Sequence, residues 1–369
     1  MPNMRVGIIG TRGIPNYYGG FEQFAANISV YLVNKGHEVY VYNSSNHPYK
    51  EAEWKGVRLI YKPDPEKRIG TFGMFIYDLN CILDAKKRDF DVILQLGYTS
   101  SSIWGWLMPE NSVVVTNMDG LEWKRTKYNF GVRKFLKFAE SLAVKWSDYL
   151  VADSKGIREY LKKTYRVGAE FIPYGAKVFN SPDASFLKEL DLVPFNYNML
   201  VARLEPENNT SLILEGVVKA KKCDSPFLVI GNWKTKYGKY LKRKFSSDKI
   251  KFLGGIYDLE KLNNLRYYSN IYFHGHSVGG TNPSLLEAMA CRSFICAHDN
   301  PFNRGVLGTD SYYFSSYAEV IYLLENVQKK SESRIIKNNV RKVNEYYSWE
   351  KINAQYENFM ENCLTLVKG

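Results

Sequence analysis

The residues best suited to bind anions and hydroxyls fall in a few short stretches. His274-Gly275-His276-Ser277-Val278-Gly279-Gly280-Thr281-Asn282-Pro283-Ser284-Leu285-Leu286-Glu287 closes an apolar run, turns through Gly279 and Gly280, and opens a helix with Pro283 in its first turn. Backbone N–H groups from Thr281 through Asn282 and Ser284 to Leu285 can receive an anion there. Glu287, a turn further in, can accept hydrogen bonds from sugar hydroxyls or only stabilise the helix dipole. Arg203, just after the apolar run Met199–Ala202, can grip phosphate oxygens through two N–H groups or pair with Glu205 or Glu207. Near the start, Gly7-Ile8-Ile9-Gly10-Thr11-Arg12-Gly13 leads through Gly19 and Gly20 into a helix, so backbone there can approach a ligand closely. Asp119, in Asn117-Met118-Asp119-Gly120, follows an expected strand and can shape a turn before Gly120. Glu122 and Arg125 follow close behind.

Two other chemistries fit less well. A nicotinamide site calls for Gly-x-Gly-x-x-Gly and an acid after the second strand. Here the spacing is Gly-x-x-Gly-x-x-Gly and the second run ends in Asn43-Ser44-Ser45. Asp89-Phe90-Asp91 has the form of a metal-binding Asp-x-Asp, but it precedes a strand and reads as a helix-to-strand turn. The five histidines show no metal-ligand spacing, and no metal is expected.

These stretches need elements to hold them. Strands are expected at Val6–Ile9, Glu38–Tyr42, Val57–Tyr61, Val92–Leu96, Ser112–Thr116 and Tyr149–Ala152, with helices over Phe21–Asn34 and Phe72–Lys87. A second series has strands at Met199–Ala202, Phe227–Ile230, Ile250–Phe252, Ile271–His274 and Ser293–Ala297, with helices over Thr210–Lys221 and Pro283–Ala290. Short apolar strands alternating with helices predict α/β folding: two tandem Rossmann-like doubly wound domains with an inter-domain cleft as the default binding place. The turn-rich Tyr174–Asp183 stretch marks the linker, giving domains over 1–178 and 179–345. The remaining 346–369 reads as a helix with Ser348 as N-cap, packing back toward the first domain.

The chain has 369 residues, 45% of them hydrophobic and 24% charged, enough for two full cores. No apolar run reaches the roughly 18–20 residues of a spanning helix, and the start lacks signal-peptide regions. Five scattered cysteines without a Cys-x-x-Cys pair fit a reducing cytoplasm. The net charge of +12, spread over both halves, suits an anionic partner. Lys124 to Lys137 has six cations and no acid, with Val132, Phe135, Leu136 and Ala139 able to share a helical face. That is either a surface for anionic lipid or an ordinary solvated face. Lys234 to Lys244 has six more cations with Tyr237 and Tyr240. No nucleic-acid-binding signature accompanies it, so no nucleic acid partner is expected.

The strand-end Arg203 and the Pro-Ser-Leu-Leu-Glu-Ala-Met-Ala helix, in two Rossmann-like halves, resemble the GT-B nucleotide-sugar glycosyltransferases of family 4. Gly-Thr-Arg-Gly-Ile-Pro…Gly-Gly-Phe-Glu with Gly-His-Ser-Val-Gly-Gly-Thr-Asn-Pro-Ser-Leu-Leu-Glu-Ala-Met resembles the bacterial polysaccharide rhamnosyltransferase branch. The resemblance implies a retaining, metal-independent hexosyltransferase, with an acceptor-side first domain and a nucleotide-sugar-binding second. It implies a UDP-, dTDP- or GDP-sugar as co-substrate and no other cofactor. The acceptor would be a saccharide on a polyprenyl diphosphate lipid, and the enzyme cytoplasmic, peripheral to the inner face of the cell membrane. Arg203 matches the family's diphosphate arginine, but its lysine position holds Asn208, for which Lys234 would compensate. Glu287 matches the ribose glutamate, whereas the sugar-side glutamate eight positions earlier is replaced by Gly279. Backbone amides, His276 or Asn282 would then contact the sugar, with Gly19 and Gly20 near the donor phosphates or acceptor. Asp119 stands roughly where relatives carry a histidine facing the sugar, so it would be the catalytic residue that accepts the acceptor hydroxyl's proton, or would hold the acceptor by hydrogen bonds, and Glu122 and Arg125 would touch the acceptor. A noncatalytic nucleotide- or carbohydrate-binding protein of the same fold is the alternative.

Overall fold

A computed structural model describes residues 3–125 and 127–368. Contacts divide the chain into two compact units. One comprises Met1–Trp123, Asn129–Pro173 and Trp349–Gly369, and the other Lys124–Tyr128 and Tyr174–Ser348.

The first unit is built on β1 (Arg5–Ile9), β2 (Glu38–Ser44), β3 (Glu53–Trp54), β4 (Val57–Lys62), β5 (Val92–Leu96), β6 (Val113–Asn117), β7 (Tyr149–Ala152) and β8 (Glu170–Phe171). They lie in the order β3-β4-β2-β1-β5-β6-β7-β8, parallel except for the antiparallel β3–β4 edge. The second unit uses β9 (Asn198–Val201), β10 (Phe227–Ile230), β11 (Ile250–Gly254), β12 (Tyr272–His274), β13 (Ile295–His298) and β14 (Tyr312–Phe314). All its pairings are parallel, in the order β11-β10-β9-β12-β13-β14. Central strands are continuous Val, Ile, Leu and Phe runs because helices cover both faces of each sheet. In the second unit, Met199, Leu228 and Tyr272 face one buried cluster while Leu200, Val229 and Phe273 face the other. The strand order reverses direction between β1 and β5, and again between β9 and β12. Such a switch point opens a crevice outside the carboxyl ends of those strands.

The expected strands form within a residue or two of their expected bounds. β3, β8 and β14 were not anticipated: two or three residues at a sheet edge are too few to show an alternation. Asp89-Phe90-Asp91 is a turn, in which Asp91 Oδ2 accepts the Arg5 N–H at 2.8 Å and Phe90 is buried.

Helix Phe130–Trp146 departs from its expected face. Leu136 and Ala139 point inward with Glu140 and Ala143, whereas Val132 and Phe135 lie at the margin and stay partly exposed. The inward arc is centred nearer Ala143, which puts Phe135 on the flank, its ring 5.7 Å from that of Phe75.

Helix Trp349–Lys368 packs in the first unit against helix Gly20–Asn34 and β6. The Tyr356 ring lies 4.7 Å from Phe24, and its hydroxyl accepts from Asn117 Nδ2 at 2.8 Å. Glu357 accepts from the Tyr31 hydroxyl at 2.9 Å and lies 3.0 Å from His37 Nε2.

Candidate active site

In the second unit the chain leaves β9 at Ala202 and must pass β10 closely. A Cβ on Gly231 would sit 2.1 Å from the Ala202 carbonyl, so only glycine fits. Buried Leu204 anchors the loop that follows. Asn208, at the position expected to lack a lysine, is buried and donates from Nδ2 to the Arg203 carbonyl at 2.7 Å. It fixes the backbone of Arg203, whose own side chain is exposed. The expected pairing of Arg203 with Glu205 or Glu207 is not what forms. Lys127 lies 3.5 Å from Glu205, and Arg125 lies 3.8 Å from Glu207. Among the described residues Arg203 has no ion pair, which leaves its guanidinium facing solvent at the strand end.

The β12 end is tied to this loop. Gly275 passes so close that a Cβ would meet the Asn208 carbonyl at 2.1 Å. Ser277 donates from Oγ to the Glu207 carbonyl at 2.7 Å, and Asn209 Nδ2 donates to the Gly275 carbonyl at 2.8 Å. From the far side, Asn300 and Asn303 each donate to the His276 carbonyl at 3.0 Å. The imidazoles of His274 and His276 stack at 4.5 Å with an 18° tilt, and Tyr272 continues the stack. Among the described residues neither His274 ring nitrogen has a hydrogen-bond partner, nor does Nδ1 of His276. Burial drives the His274 proton affinity well down, and burial with Arg203 and Arg125 nearby brings His276 to about 3. Both rings are therefore neutral near pH 7.

Asn282 caps helix Pro283–Ala290, its Oδ1 accepting the Ser284 N–H at 2.9 Å. Its carbonyl takes the Leu285 N–H at 3.0 Å. This corrects one expectation: the Ser284 and Leu285 amides are already satisfied inside the cap and are not offered to an anion. The Gly279 and Gly280 amides have no partner among the described residues. Gly279 adopts φ +129 with open space around it. Glu287 is 19% exposed and does not act alone at its helix end, since Arg266 reaches it at 2.6 Å. Lys234 is exposed next to Trp233, beyond the end of β10, with its amide bonded to Asn232 Oδ1.

In the first unit the glycine loop is held from inside. Asn43, the residue that argued against a ribose acid, accepts the Ile14 N–H at 3.0 Å and donates to the Ile14 carbonyl at 2.8 Å. Gly19 is the N-cap of helix Gly20–Asn34, and its N–H is bonded to Asn16 Oδ1. Glu22 Oε1 accepts the Arg12 N–H at 3.0 Å, and the Arg12 guanidinium is taken by Glu66 at 2.7 and 3.1 Å. Asp119 has left-handed backbone (φ +50) and is half-buried, its N–H held by Asn117 Oδ1 at 2.9 Å. The turn-forming reading of Asp119 is thus realised, and its carboxylate is at the end of β6 all the same. Glu122 opens a short 3₁₀ turn, and Trp123 beside it donates to the buried Glu140 at 3.1 Å. Arg125, expected among the first-domain residues, groups instead with the second unit.

His37, Glu357 and Glu361 come close enough to suggest a metal site. The Met4 N–H donates to His37 Nδ1 at 3.0 Å, so the hydrogen sits on Nε2, pointing at Glu357. No lone pair is left there for a cation.

Residues 3–177 match a family described as a domain of unknown function (DUF1972), and residues 194–343 match the family glycosyl transferases group 1. No curated protein matches the chain. Sucrose-phosphate synthase from Thermosynechococcus elongatus is similar at 15% identity and TM-score 0.78, over 99% of this chain and 100% of that one. Anabaena HepE in complex with UDP and glucose is similar at 15% identity and TM-score 0.74, over 98% and 100%. A trehalose-6-phosphate structure from E. coli, bound with UDP-2-fluoro glucose, is similar at 11% identity and TM-score 0.71, over 97% and 98%. The chain has the GT-B fold, and the stretch of its second unit over residues 194–343 is similar to the glycosyl transferases group 1 family.

Proposed function

We propose that this chain is a nucleotide-sugar glycosyltransferase. It moves a hexose or 6-deoxyhexose, with rhamnose favoured, from a UDP-, dTDP- or GDP-sugar to a hydroxyl of a lipid-linked saccharide in bacterial surface polysaccharide synthesis. The observation that carries the reading is the unpaired Arg203 at the β9–β12 switch point, in a domain that matches glycosyl transferases group 1. UDP-bound neighbours of the same fold support a nucleotide-sugar donor.

In this reading Arg203 holds the diphosphate, with Lys234 as a second cation and the free Gly279 and Gly280 amides toward the sugar. Charge developing on the leaving diphosphate is met by a guanidinium and N–H dipoles fixed beforehand. Glu287 receives the ribose. Neutral His276 donates or accepts a hydrogen bond without adding charge. Asp119 accepts the proton of the attacking hydroxyl, aided by Glu122 in placing the acceptor, and the stereochemistry is retained.

Peripheral attachment to the inner face of the membrane belongs to the same reading. Phe72, Trp106, Phe130 and Phe138 are all more than half exposed in the first unit, and Arg133 and Lys134 lie on the same helix as the last two. Aromatic side chains beside cations suit anionic lipid.

A thermal-shift panel of UDP-, dTDP- and GDP-sugars tests the donor site, because a bound ligand stabilises by mass action. One family of nucleotides raises the melting temperature, and Arg203→Ala and Glu287→Ala each shrink the rise. Unchanged shifts in both variants would refute the site. A noncatalytic binding role has one observation in its favour, Gly279 in place of a carboxylate. Binding without donor hydrolysis or transfer to any acceptor would select it.

A further inference from the structure

Glu287, which receives the nucleotide's ribose in the proposed function, is held by a buried arginine from the neighbouring helix. Helix Leu259–Tyr268, capped by Asp258, buries Leu262, Asn264 and Leu265, and with them Arg266. The Arg266 side chain is 1% exposed and its Nη2 lies 2.6 Å from Glu287 Oε2. Three further groups surround the guanidinium. Asn263 Oδ1 accepts from Nη1 at 3.2 Å, Ser284 Oγ lies 3.4 Å from Nη2, and the Tyr272 hydroxyl is 2.7 Å from that same Ser284 Oγ. The arginine therefore touches the turn that opens helix Pro283–Ala290 and the carboxylate within it. Among the described residues Glu287 Oε1 has no partner.

We infer that Arg266 is the positioning residue of this site: it clamps Glu287 by Oε2 and so presents Oε1, already oriented, to a hydroxyl of the nucleotide's sugar ring. The inference rests on the assignment of Glu287 to the ribose. A glutamate free to rotate would lose side-chain freedom on binding, and here that freedom is gone before the ligand arrives. Stability alone is a weak reason for the arrangement, since an apolar side chain of similar volume commonly stabilises a core as well as a buried ion pair does. An arginine in that place makes sense when the carboxylate has to be there.

The test compares UDP, GDP and dTDP with their 2′,3′-dideoxy counterparts by titration calorimetry, and adds inorganic pyrophosphate as a probe blind to the ribose. The wild-type protein should prefer the hydroxylated nucleotide by about tenfold, the scale of a hydrogen bond to a charged group. Glu287→Gln should reduce that preference severalfold. Arg266→Met should reduce it to the same level, with pyrophosphate affinity unchanged and no further loss in the double variant. Arg266→Lys should restore part of it. If methionine impairs folding, Arg266→Gln replaces it with the same expectation. A folded Arg266 variant that keeps the full preference, while Glu287→Gln loses it, overturns the positioning role alone. A full preference in Glu287→Gln overturns the ribose assignment, and the inference with it.

Discussion

Arg203 has its carbonyl fixed by Asn208 and its side chain open, an arrangement that limits what can be swapped. Restoring the family's lysine by Asn208→Lys should therefore not add a useful charge. It would place an ammonium in a buried position and release the Arg203 carbonyl, and we expect a melting temperature several degrees lower with no gain in nucleotide affinity, both read from thermal shifts. The histidine stack gives a pH signature. His276 is held at about 3 by burial and the two arginines, below its unfolded value of roughly 6.5. Between those values the unfolded chain binds the proton and the folded one does not, so stability falls as pH drops below about 6.5. His276→Gln should flatten the dependence of melting temperature on pH from 6.5 to 4, relieving a slope of up to about 1.4 kcal/mol per pH unit. Affinity of the wild-type for a nucleotide-sugar, whose diphosphate is esterified at both ends and carries no group titrating near neutral pH, should show no inflection near pH 6.5. At this scale, Arg203, Gly279 and Glu287 were legible because they sit at strand ends and helix starts, where residue type maps onto chemistry. Arg266 was not, since a cation within Leu262-Asn263-Asn264-Leu265-Arg266 looks like any solvent-facing position until the packing partner of the helix is known. Asn208 looked like a missing charge because its hydrogen bond to a carbonyl leaves no mark in spacing.

The elements were legible where burial is two-sided. Val92–Leu96, Phe227–Ile230 and Pro283–Ala290 form where they were expected because apolar runs bounded by turn residues have few other solutions. Helix Phe130–Trp146 was read less well, since one apolar arc could be centred in more than one way and only the neighbouring 3₁₀ turn Ser102–Leu107 decides. Its exposed aromatics make a prediction for the element as a whole. Phe130→Ser with Phe138→Ser should leave the melting temperature within about a degree, since both rings are largely in solvent. The pair should lower sedimentation with phosphatidylglycerol vesicles while leaving phosphatidylcholine unaffected. The glycine loop makes the opposite kind of prediction. At Gly10, φ is +87 and a Cβ would meet the Leu96 carbonyl at 2.2 Å, so Gly10→Ala must push β1 and β5 apart. We expect a loss beyond the roughly 1–2 kcal/mol of the backbone conformation alone, read by chemical denaturation.

At the scale of the molecule, two Rossmann-like sheets with the same reversal of order account for the whole-chain likeness to GT-B structures at identities as low as 10%. Strand order and helix cover are set by burial and chirality, which many sequences satisfy. The sugar, base and acceptor are set by a few loop residues, which few share. The alternation of strands and helices was readable along the chain. The grouping of Lys124–Tyr128 with the second unit was not, because nothing in its composition says which sheet it will meet. Removing residues after Ser348 should unfold the first unit and spare the second, since Tyr356, Ile352 and Met360 are buried against the first. Proteolysis of the truncated chain should leave a resistant fragment within 174–348. Helix Trp349–Lys368 also sets an order of events during translation. The ribosome must make the entire second lobe before it delivers the piece that completes the first. The earlier lobe therefore waits, with the Phe24 side of its helix uncovered, and a nascent chain stalled before codon 349 would be a substrate for chaperones.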